Sequence, residues 1–150
     1  MRVVIQRVSK ASVAVEGKII GACRTGLLIL VGIEDADTQE DITWLVQKIS
    51  NLRIFNDAED KMNLSVKDVD GELLVISQFT LHASTKKGNR PSYILAAGPD
   101  KALPMYDDFI KALQQETNKP LATGEFGAHM EVSLVNDGPV TIIIDSKQKN

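Results

Sequence analysis

The first third of the chain has the hydrophobic pattern of a series of β-strands. Four segments either alternate between apolar and polar residues or run through β-branched residues: Arg2–Val8, Ala11–Val15, Lys18–Cys23 and Leu27–Ile33. Glu16-Gly17 is typical of a turn between two of these strands. The unbroken apolar run Leu27–Ile33 suits a strand that is buried on both faces. We predict that the four segments form an antiparallel meander.

Two later segments have the period of amphipathic helices. In the first, apolar residues recur at i, i+3, i+4, i+7 and i+10, at Ile42, Leu45, Val46, Ile49 and Leu52. Asp37 or Thr38 can cap the start of this helix. The second helix is predicted over Lys101–Gln115, with Pro99 and Pro104 before it or in its first turn, where a missing N–H costs little.

The rest of the pattern predicts further strands. They are Glu72–Ser77, Met130–Val135 and Val140–Asp145, the last two joined at Asn136–Pro139 and followed by a frayed polar tail, Ser146–Asn150. Because strands outnumber helices, the expected fold is α/β. We predict one domain over residues 1–150, with a mixed, mainly antiparallel, curved and barrel-like sheet and two main helices.

Length and charge limit the classes of function. A chain of 150 residues is about one domain long. It has 17 basic and 20 acidic residues, a net charge of −3, so any contact with nucleic acid must come from a local basic patch. No apolar run approaches the roughly 20 residues that span a bilayer, and no secretion signal opens the chain. The short apolar runs therefore predict no membrane partner. The single cysteine, Cys23, cannot form an internal disulfide, which indicates a reducing, cytoplasmic location.

Several kinds of site find no support in the sequence. It contains neither a P-loop nor a strand–GxGxxG–helix pattern. The only two histidines, His82 and His129, are far apart, and Cys23 has no partner at ligand spacing. Ser77 lacks the flanking glycines of a nucleophile elbow. We therefore expect no metal and no cofactor.

Ser77-Gln78-Phe79-Thr80-Leu81 directly follows the apolar strand that ends at Ile76. Polar residues at the end of a strand often belong to sites, because backbone N–H groups there are free of the sheet ladder and can stabilise an oxyanion. The alternative is a strand that simply continues, with Phe79 and Leu81 inward and Gln78 and Thr80 outward. Spacing alone favours this second interpretation.

The segment from Lys86 to Tyr93 contains three cations, Lys86, Lys87 and Arg90, around Gly88. A basic glycine-containing loop in an acidic protein predicts a contact with phosphate. The alternative is a solvated surface loop. The local excess of positive charge favours an anionic ligand.

Asn136-Asp137-Gly138-Pro139 has the composition of a hairpin turn, and this is the simplest interpretation. Pro139, however, gives up a hydrogen-bond donor at the start of a strand. A cis Gly138–Pro139 bond is the other interpretation, although only about 5–6% of X–Pro bonds in folded proteins are cis.

Together these segments resemble the D-aminoacyl-tRNA deacylases, over Met1 to about Ser146. The motifs that carry the resemblance are Arg2–Val8, Lys61-Met62-Asn63, Ser77–Leu81, Lys87–Ser92, Gly124–Ala128 and Asn136–Thr141. Departures from the family pattern are small: Asp60 replaces a common glycine, and Tyr93 stands where phenylalanine is usual. Four of these motifs in the same order within one domain are a specific match.

The resemblance implies a homodimeric, cytoplasmic hydrolase that cleaves the ester between a D-amino acid and the terminal adenosine of tRNA. It implies catalytic roles for Ser77, Gln78 and Thr80, with Phe79 in the substrate pocket. It also implies that Gly138 and Pro139 of one subunit enter the pocket of the other as a Gly–cisPro dipeptide. Arg7 would hold that dipeptide in place.

The chemistry that this family performs is compatible with these side chains. An aminoacyl ester is already activated, so an oxyanion hole and an oriented water suffice. The amides of Phe79 and Thr80 are the expected oxyanion donors. Thr80 has no evident base beside it, so we expect assistance from the ribose 2′-hydroxyl, with Thr80 and Gln78 positioning the substrate rather than Thr80 attacking it.

Chirality follows from a pocket wall made of backbone. Such a wall cannot move aside for an L side chain, whereas glycine escapes rejection, so glycyl-tRNA is an expected second substrate. Parallel carbonyls of a cis Gly138–Pro139 peptide could accept hydrogen bonds from the substrate ammonium. Lys86, Lys87 and Arg90 are the expected contacts to tRNA, with a shallow salt dependence.

Two alternatives remain open. One is a related deacylase that clears mischarged L-alanyl-tRNA, against which the intact Ser77–Leu81 motif argues. The other is a non-catalytic module that binds RNA ends through the basic loop. Incubation with D-tyrosyl-tRNA and L-tyrosyl-tRNA distinguishes the three functions.

Overall fold

The first strand organises the sheet. In a computed structural model that describes residues 1–150, β1 (Arg2–Val15) is antiparallel to β2 (Lys18–Cys23), β3 (Gly26–Gly32) and β8 (Glu131–Asp145). Both β2 and β3 lie along one edge of β1, on its second and first half respectively, and β8 occupies the other edge. The predicted meander is therefore wrong. β1 is long enough to pair with both of its successors, so β2 does not lie between β1 and β3.

The remaining strands of the sheet run parallel to their neighbours. β6 (Glu72–Ser77) pairs with β3, and β7 (Ala122–Thr123) pairs with β6. Each parallel pair is joined by a long connection that contains a helix, as parallel pairing requires. A separate small hairpin consists of β4 (Phe55–Asn56) and β5 (Met62–Leu64).

The sheet curves until its two ends meet. A Cβ placed on Gly21 of β2 would lie 2.6 Å from the carbonyl oxygen of Thr123 in β7. Only glycine permits this approach, and it therefore lets β2 and β7, at the two ends of the strand order β2-β1-β3-β6-β7, come together. The result is the predicted fold: a mixed, mainly antiparallel, nearly closed barrel-like sheet with two helices.

Both helices are confirmed, with one difference. α1 (Gln39–Asn51) begins after Thr38, whose backbone N–H donates to Asp41 Oδ2 at 2.8 Å. α2 (Pro99–Thr117) begins two residues earlier than predicted, because Pro99 occupies its first turn, where proline is favoured. Pro104 consequently lies inside the helix rather than in its first turn. Neither helix combines the length and the apolar character that crossing a membrane requires.

Hydrophobic residues are buried on both faces of the central strands. The larger cluster lies between the sheet and the helices and includes Ile29 and Val75, whereas Leu28 and Leu74 belong to a second cluster on the other face. Alternate residues of β3 and β6 thus enter different cores, which confirms the prediction for Leu27–Ile33. Cys23 lies in the second cluster, and burial raises the pKa of its thiol to about 11.

The C-terminal region differs from its prediction. The expected two strands with a hairpin turn are one strand, β8, both halves of which pair with β1. Gln6 pairs with Thr141 and Val8 with Asn136, so the residues between Asn136 and Thr141 bulge out of the ladder. The Gly138–Pro139 peptide in this bulge is cis.

The predicted frayed tail is also wrong at its start. Ser146 is buried, and its Oγ donates to Asp41 Oδ1 at 2.6 Å. Lys147 Nζ lies 3.0 Å from Asp41 Oδ2. The tail is fixed because Asp41, which is buried in α1, needs partners for its charge.

Candidate functional site

A tight turn follows the last residue of β6. Ser77 pairs with Val31 of β3, and the N–H of Gln78 donates to the Val31 carbonyl at 2.8 Å. The chain then forms a single 3₁₀ turn, Phe79–His82, so the alternative of a continuing strand is wrong. Within this turn the first amide with an acceptor is that of Leu81, which donates to Gln78 O. The amides of Phe79 and Thr80 precede it.

The side chains of this turn form two pairs. Gln78 Nε2 donates to Thr80 Oγ1 at 2.5 Å. The Phe79 ring is 54% exposed and meets the ring of Tyr93 edge to face, with 5.1 Å between centroids. The turn after β6 therefore carries a hydrogen-bonded polar pair and, next to it, an exposed aromatic ring that packs against Tyr93.

A cavity of about 540 Å³ opens beside the turn. Ser77, Gln78 and Phe79 line one side, and Ile33 and the segment from Ala96 to Ala97 line another. Twelve of its 17 lining residues are hydrophobic, which is the usual character of a small-molecule site. Thr80 is not among the lining residues, so the structure brings three of the four predicted strand-end residues to the cavity wall.

The segment Phe126–Met130 forms a wall that the sequence analysis did not assign to the site. Gly124–Ala128 is one of the motifs of the family resemblance, but no periodicity or charge in it points to a cavity. Gly124 lies close to this wall, since a Cβ on it would lie 2.5 Å from Met130 Sδ, so a larger residue there would displace the Met130 side chain. His129 of the same wall was also missed. It is the only histidine among the lining residues.

The three predicted tRNA contacts lie on an exposed loop. Two hydrogen bonds between the backbones of Ser84 and Ser92, of 2.8 and 2.9 Å, close this loop. Lys86, Lys87 and Arg90 lie between them, exposed and without a carboxylate partner among residues 1–150. The loop leads directly to Tyr93 at the cavity.

Arg7 holds the Gly138–Pro139 bulge. Its Nε donates to Asp137 O at 2.8 Å, and its Nη1 donates to Ile54 O at 2.8 Å. A second bond fixes the bulge from within, since the N–H of Val140 donates to Asn136 Oδ1 at 2.8 Å. Both residues of the dipeptide are exposed, and neither lines the cavity of the same chain. The structure thus joins Arg7 to the dipeptide but separates both from the end of β6.

The surroundings of the cavity contain little titratable chemistry. Tyr106 lies behind it, where burial raises the pKa of the phenol to about 12 and the hydroxyl donates to Val75 O at 3.2 Å. Tyr106 is therefore a core residue. Among residues 1–150, no group of three or more His, Cys, Asp or Glu side chains is arranged to hold a metal ion.

Comparison with known proteins gives a consistent result. The family model described as D-Tyr-tRNA(Tyr) deacylase matches residues 4–145. A protein of Flavobacterium johnsoniae named D-aminoacyl-tRNA deacylase is 65% identical over 149 residues, covering 99% of each chain.

Two solved structures share the fold. One, named c-Myc DNA Unwinding Element Binding Protein, has a TM-score of 0.91 at 41% identity and covers 97% of this chain and 98% of its own. The other, described as a probable eukaryotic D-amino acid tRNA deacylase, has a TM-score of 0.81 at 17% identity and covers 95% of this chain and 97% of its own. At that identity its similarity concerns the fold alone. The family model and the full-length relative agree, and the chain belongs to the D-Tyr-tRNA(Tyr) deacylase family of hydrolases.

Proposed function

We propose that this enzyme hydrolyses the ester between a D-amino acid and the 3′-terminal adenosine of tRNA. The observation that carries the proposal is the polar turn at the end of β6, where Ser77, Gln78 and Phe79 line an apolar cavity of about 540 Å³ and Gln78 donates a hydrogen bond to Thr80. An apolar cavity suits an amino-acid side chain, and the polar turn suits the ester. The relatives named D-aminoacyl-tRNA deacylase support this substrate class.

The reaction proceeds by attack of water on the ester carbonyl. The carbonyl carbon gains the water oxygen, the bond to the ribose 3′-oxygen breaks, and that oxygen takes a proton to leave tRNA and a free D-amino acid. The Phe79 and Thr80 amides, which have no acceptor within the turn, stabilise the oxyanion.

Thr80 positions the substrate rather than attacking it. Its hydroxyl oxygen accepts a hydrogen bond from Gln78, and a side-chain amide is not a base. The ribose 2′-hydroxyl supplies the remaining polar group beside the ester. Ser77 and Gln78 complete the polar side of the site.

Selection for the D configuration comes from a second copy of the chain. Gly138 and Pro139 are exposed on a bulge that Arg7 holds, and the outer edge of β8 has no strand partner. Ile143 on the same strand is 68% exposed, and three further large apolar residues of β8 are also exposed, namely Val132, Leu134 and Val135. Several exposed apolar residues on one unpaired strand favour a surface that a partner covers. We infer that β8 faces a second subunit and that the dipeptide enters its cavity opposite Phe79. Glycyl-tRNA, which has no side chain to collide with this wall, is hydrolysed as well.

The acceptor end of tRNA is bound by Lys86, Lys87 and Arg90. Their unpaired charges and their position next to Tyr93 support a contact with the last phosphates. With so few cations the contact is short, which suits an enzyme that accepts many tRNAs in the cytoplasm.

Hydrolysis of matched substrates tests the proposal. Purified protein is incubated with D-tyrosyl-tRNA, L-tyrosyl-tRNA, glycyl-tRNA and L-alanyl-tRNA, and the remaining ester is measured over time. We expect fast loss of the D-tyrosyl and glycyl esters and stable L-tyrosyl ester. Preferential loss of the L-alanyl ester would instead indicate the related deacylase, and binding without hydrolysis would indicate a module that only binds RNA ends.

A further inference from the structure

His82 closes the 3₁₀ turn and is buried although it is polar. Its ring is 3% exposed, its Nδ1 lies 3.5 Å from Glu34 Oε2, and its Nε2 has no hydrogen-bond partner. Buried polar atoms without a partner are rare, because they lose their contacts with water and gain nothing in return. The contact with Glu34 is therefore the feature of this side chain that can offset its burial.

The ring rests directly on the end of β3. A Cβ placed on Gly32 would lie 3.0 Å from His82 Cδ2 and 3.1 Å from the carbonyl oxygen of Gln78. Gly32 thus leaves space for both ends of the turn at once. Any side chain at position 32 would press against the ring and against the backbone that precedes Phe79.

Glu34 connects His82, packed against the end of β3, to the opposite wall of the cavity. Its N–H donates to Asp37 Oδ2 at 2.8 Å, which fixes its backbone, and the residue bridges to Ala96. The N–H of Ala97 donates to Ile33 O at 2.9 Å. Since Ile33, Ala96 and Ala97 line the cavity, the pair of His82 and Glu34 joins the catalytic turn to the wall that faces it.

We propose that His82, held by Glu34, is a positioning residue for the deacylation. It touches no substrate and acts through the turn, whose orientation sets where Gln78 and Thr80 meet the ester. This inference rests on the proposed function. The cavity surface and the basic loop do not include His82, so its loss changes turnover and not substrate binding.

The test compares kcat and KM on D-tyrosyl-tRNA for wild type, three variants of the pair and one control variant. His82→Ala and Glu34→Ala, which each remove one partner of the contact, lower kcat about 10- to 100-fold with KM within about twofold, because small misplacements of reacting groups cost rate. His82→Asn keeps a polar nitrogen near the place of Nδ1 and restores kcat to within about threefold of wild type. Ser50→Ala is the control: Ser50 Oγ is also buried and unpartnered, but it lies on α1, and this variant keeps the wild-type kcat.

Two results would overturn the positioning role. One is a folded His82→Ala protein with wild-type kcat, and the other is His82→Asn with a kcat as low as that of His82→Ala. If the wild type hydrolyses no D-tyrosyl-tRNA, the proposed function fails, and a second measurement without substrate still decides the role of His82. Amide hydrogen exchange of Leu81 and Ala83, the donors of the turn, should then be about tenfold faster in His82→Ala. An unchanged exchange rate at both amides would contradict the positioning role of His82.

Discussion

The side-chain amide of Gln78 donates a hydrogen bond of 2.5 Å to the hydroxyl oxygen of Thr80. The bond spans a turn of which Phe79 is the exposed tip, so the two polar side chains are fixed relative to each other before any substrate arrives. Preorganised polar groups of this kind need no reorientation as charge develops in a transition state. The proposed mechanism depends on this arrangement.

Thr80→Ala should slow hydrolysis of D-tyrosyl-tRNA about 10- to 100-fold and leave a rate that is measurable above the spontaneous one. The variant loses a positioning contact, but the turn amides and the ribose 2′-hydroxyl remain. Single-turnover kinetics provide the measurement. Loss of all turnover with unchanged binding would mean that Thr80 is a nucleophile.

Arg7→Met should weaken discrimination between D- and L-tyrosyl-tRNA by at least about tenfold. Arg7 donates to Asp137 O beside the dipeptide, and methionine has similar length but no donors, so the bulge loses its support. The ratio of the two hydrolysis rates is the measurement. Arg24→Met is the control, since the side chain of Arg24 is 89% exposed. If the ratio of D- to L-tyrosyl-tRNA hydrolysis is the same in Arg7→Met and Arg24→Met, Arg7 has no role in selecting the D configuration.

Ile143→Glu should shift the protein from dimer to monomer. Ile143 is 68% exposed on β8, and a carboxylate in a dimer interface would be buried without a partner. Light scattering after size-exclusion chromatography measures the mass, and the activity should fall with the dimer fraction. A wild-type protein that is monomeric at micromolar concentration would contradict the proposed assembly.

Removing the three loop cations should flatten the salt dependence of tRNA binding. Each phosphate contact contributes about 0.7 to 0.9 to the slope of log K against log salt concentration. The variant in which Lys86, Lys87 and Arg90 are alanine should therefore lose roughly 2 to 3 from this slope. A control with alanine at the exposed Lys61, which lies 3.7 Å from Glu59, should keep it. An unchanged slope in the triple variant would move the tRNA contact elsewhere.

Asp41 should make the stability of the fold depend on acidic pH. Burial alone would raise the pKa of this carboxyl, but hydrogen bonds from Ser146, the Thr38 backbone and Lys147 outweigh burial and hold the pKa below its ordinary value. A depressed pKa in the folded state stabilises the protein above the unfolded pKa of about 4 and loses this contribution as the pH falls below it. Urea unfolding at pH 6 and at pH 3 should show the advantage of wild type over Asp41→Asn shrinking by roughly 1–2 kcal/mol. An advantage that is constant with pH would contradict this assignment.

Local patterns predicted the parts of the fold that local interactions determine. The stripe from Ile42 to Leu52 and the apolar run before Ser77 carry their own period, and both elements lie where predicted. Local patterns did not predict the order of β1, β2 and β3, or that β8 is one continuous strand. Both depend on which strands pair, and strand pairing leaves no local mark in the sequence. A turn composition at Asn136–Pro139 suits a bulge as well as a hairpin.

The site shows the same limit. Ser77–Leu81 was recognisable as a candidate site because polar residues follow an apolar strand, but its spacing favoured a continuing strand, and the 3₁₀ turn was not predicted. Phe126–Met130 reaches the cavity only through tertiary packing. His82 has no sequence signal at all, since its importance lies in burial beside Glu34. The roles of Ser77, Gln78, Phe79, Thr80, Arg7, Gly138 and Pro139 stay predictions.

The central claim is that a dipeptide from one subunit rejects L substrates at the site of the other. Mixed dimers of wild type with a chain carrying both Thr80→Ala and Pro139→Ala test it, isolated by a different affinity tag on each subunit. In such a dimer only the wild-type chain keeps Thr80, and only the variant chain carries the altered dipeptide. The two therefore meet in one site only if the dipeptide acts across the interface. The account predicts that these mixed dimers hydrolyse L-tyrosyl-tRNA at nearly the rate of Pro139→Ala homodimers, when the rate is counted per site that keeps Thr80. Mixed dimers that spare L-tyrosyl-tRNA, while Pro139→Ala homodimers hydrolyse it, would contradict the account.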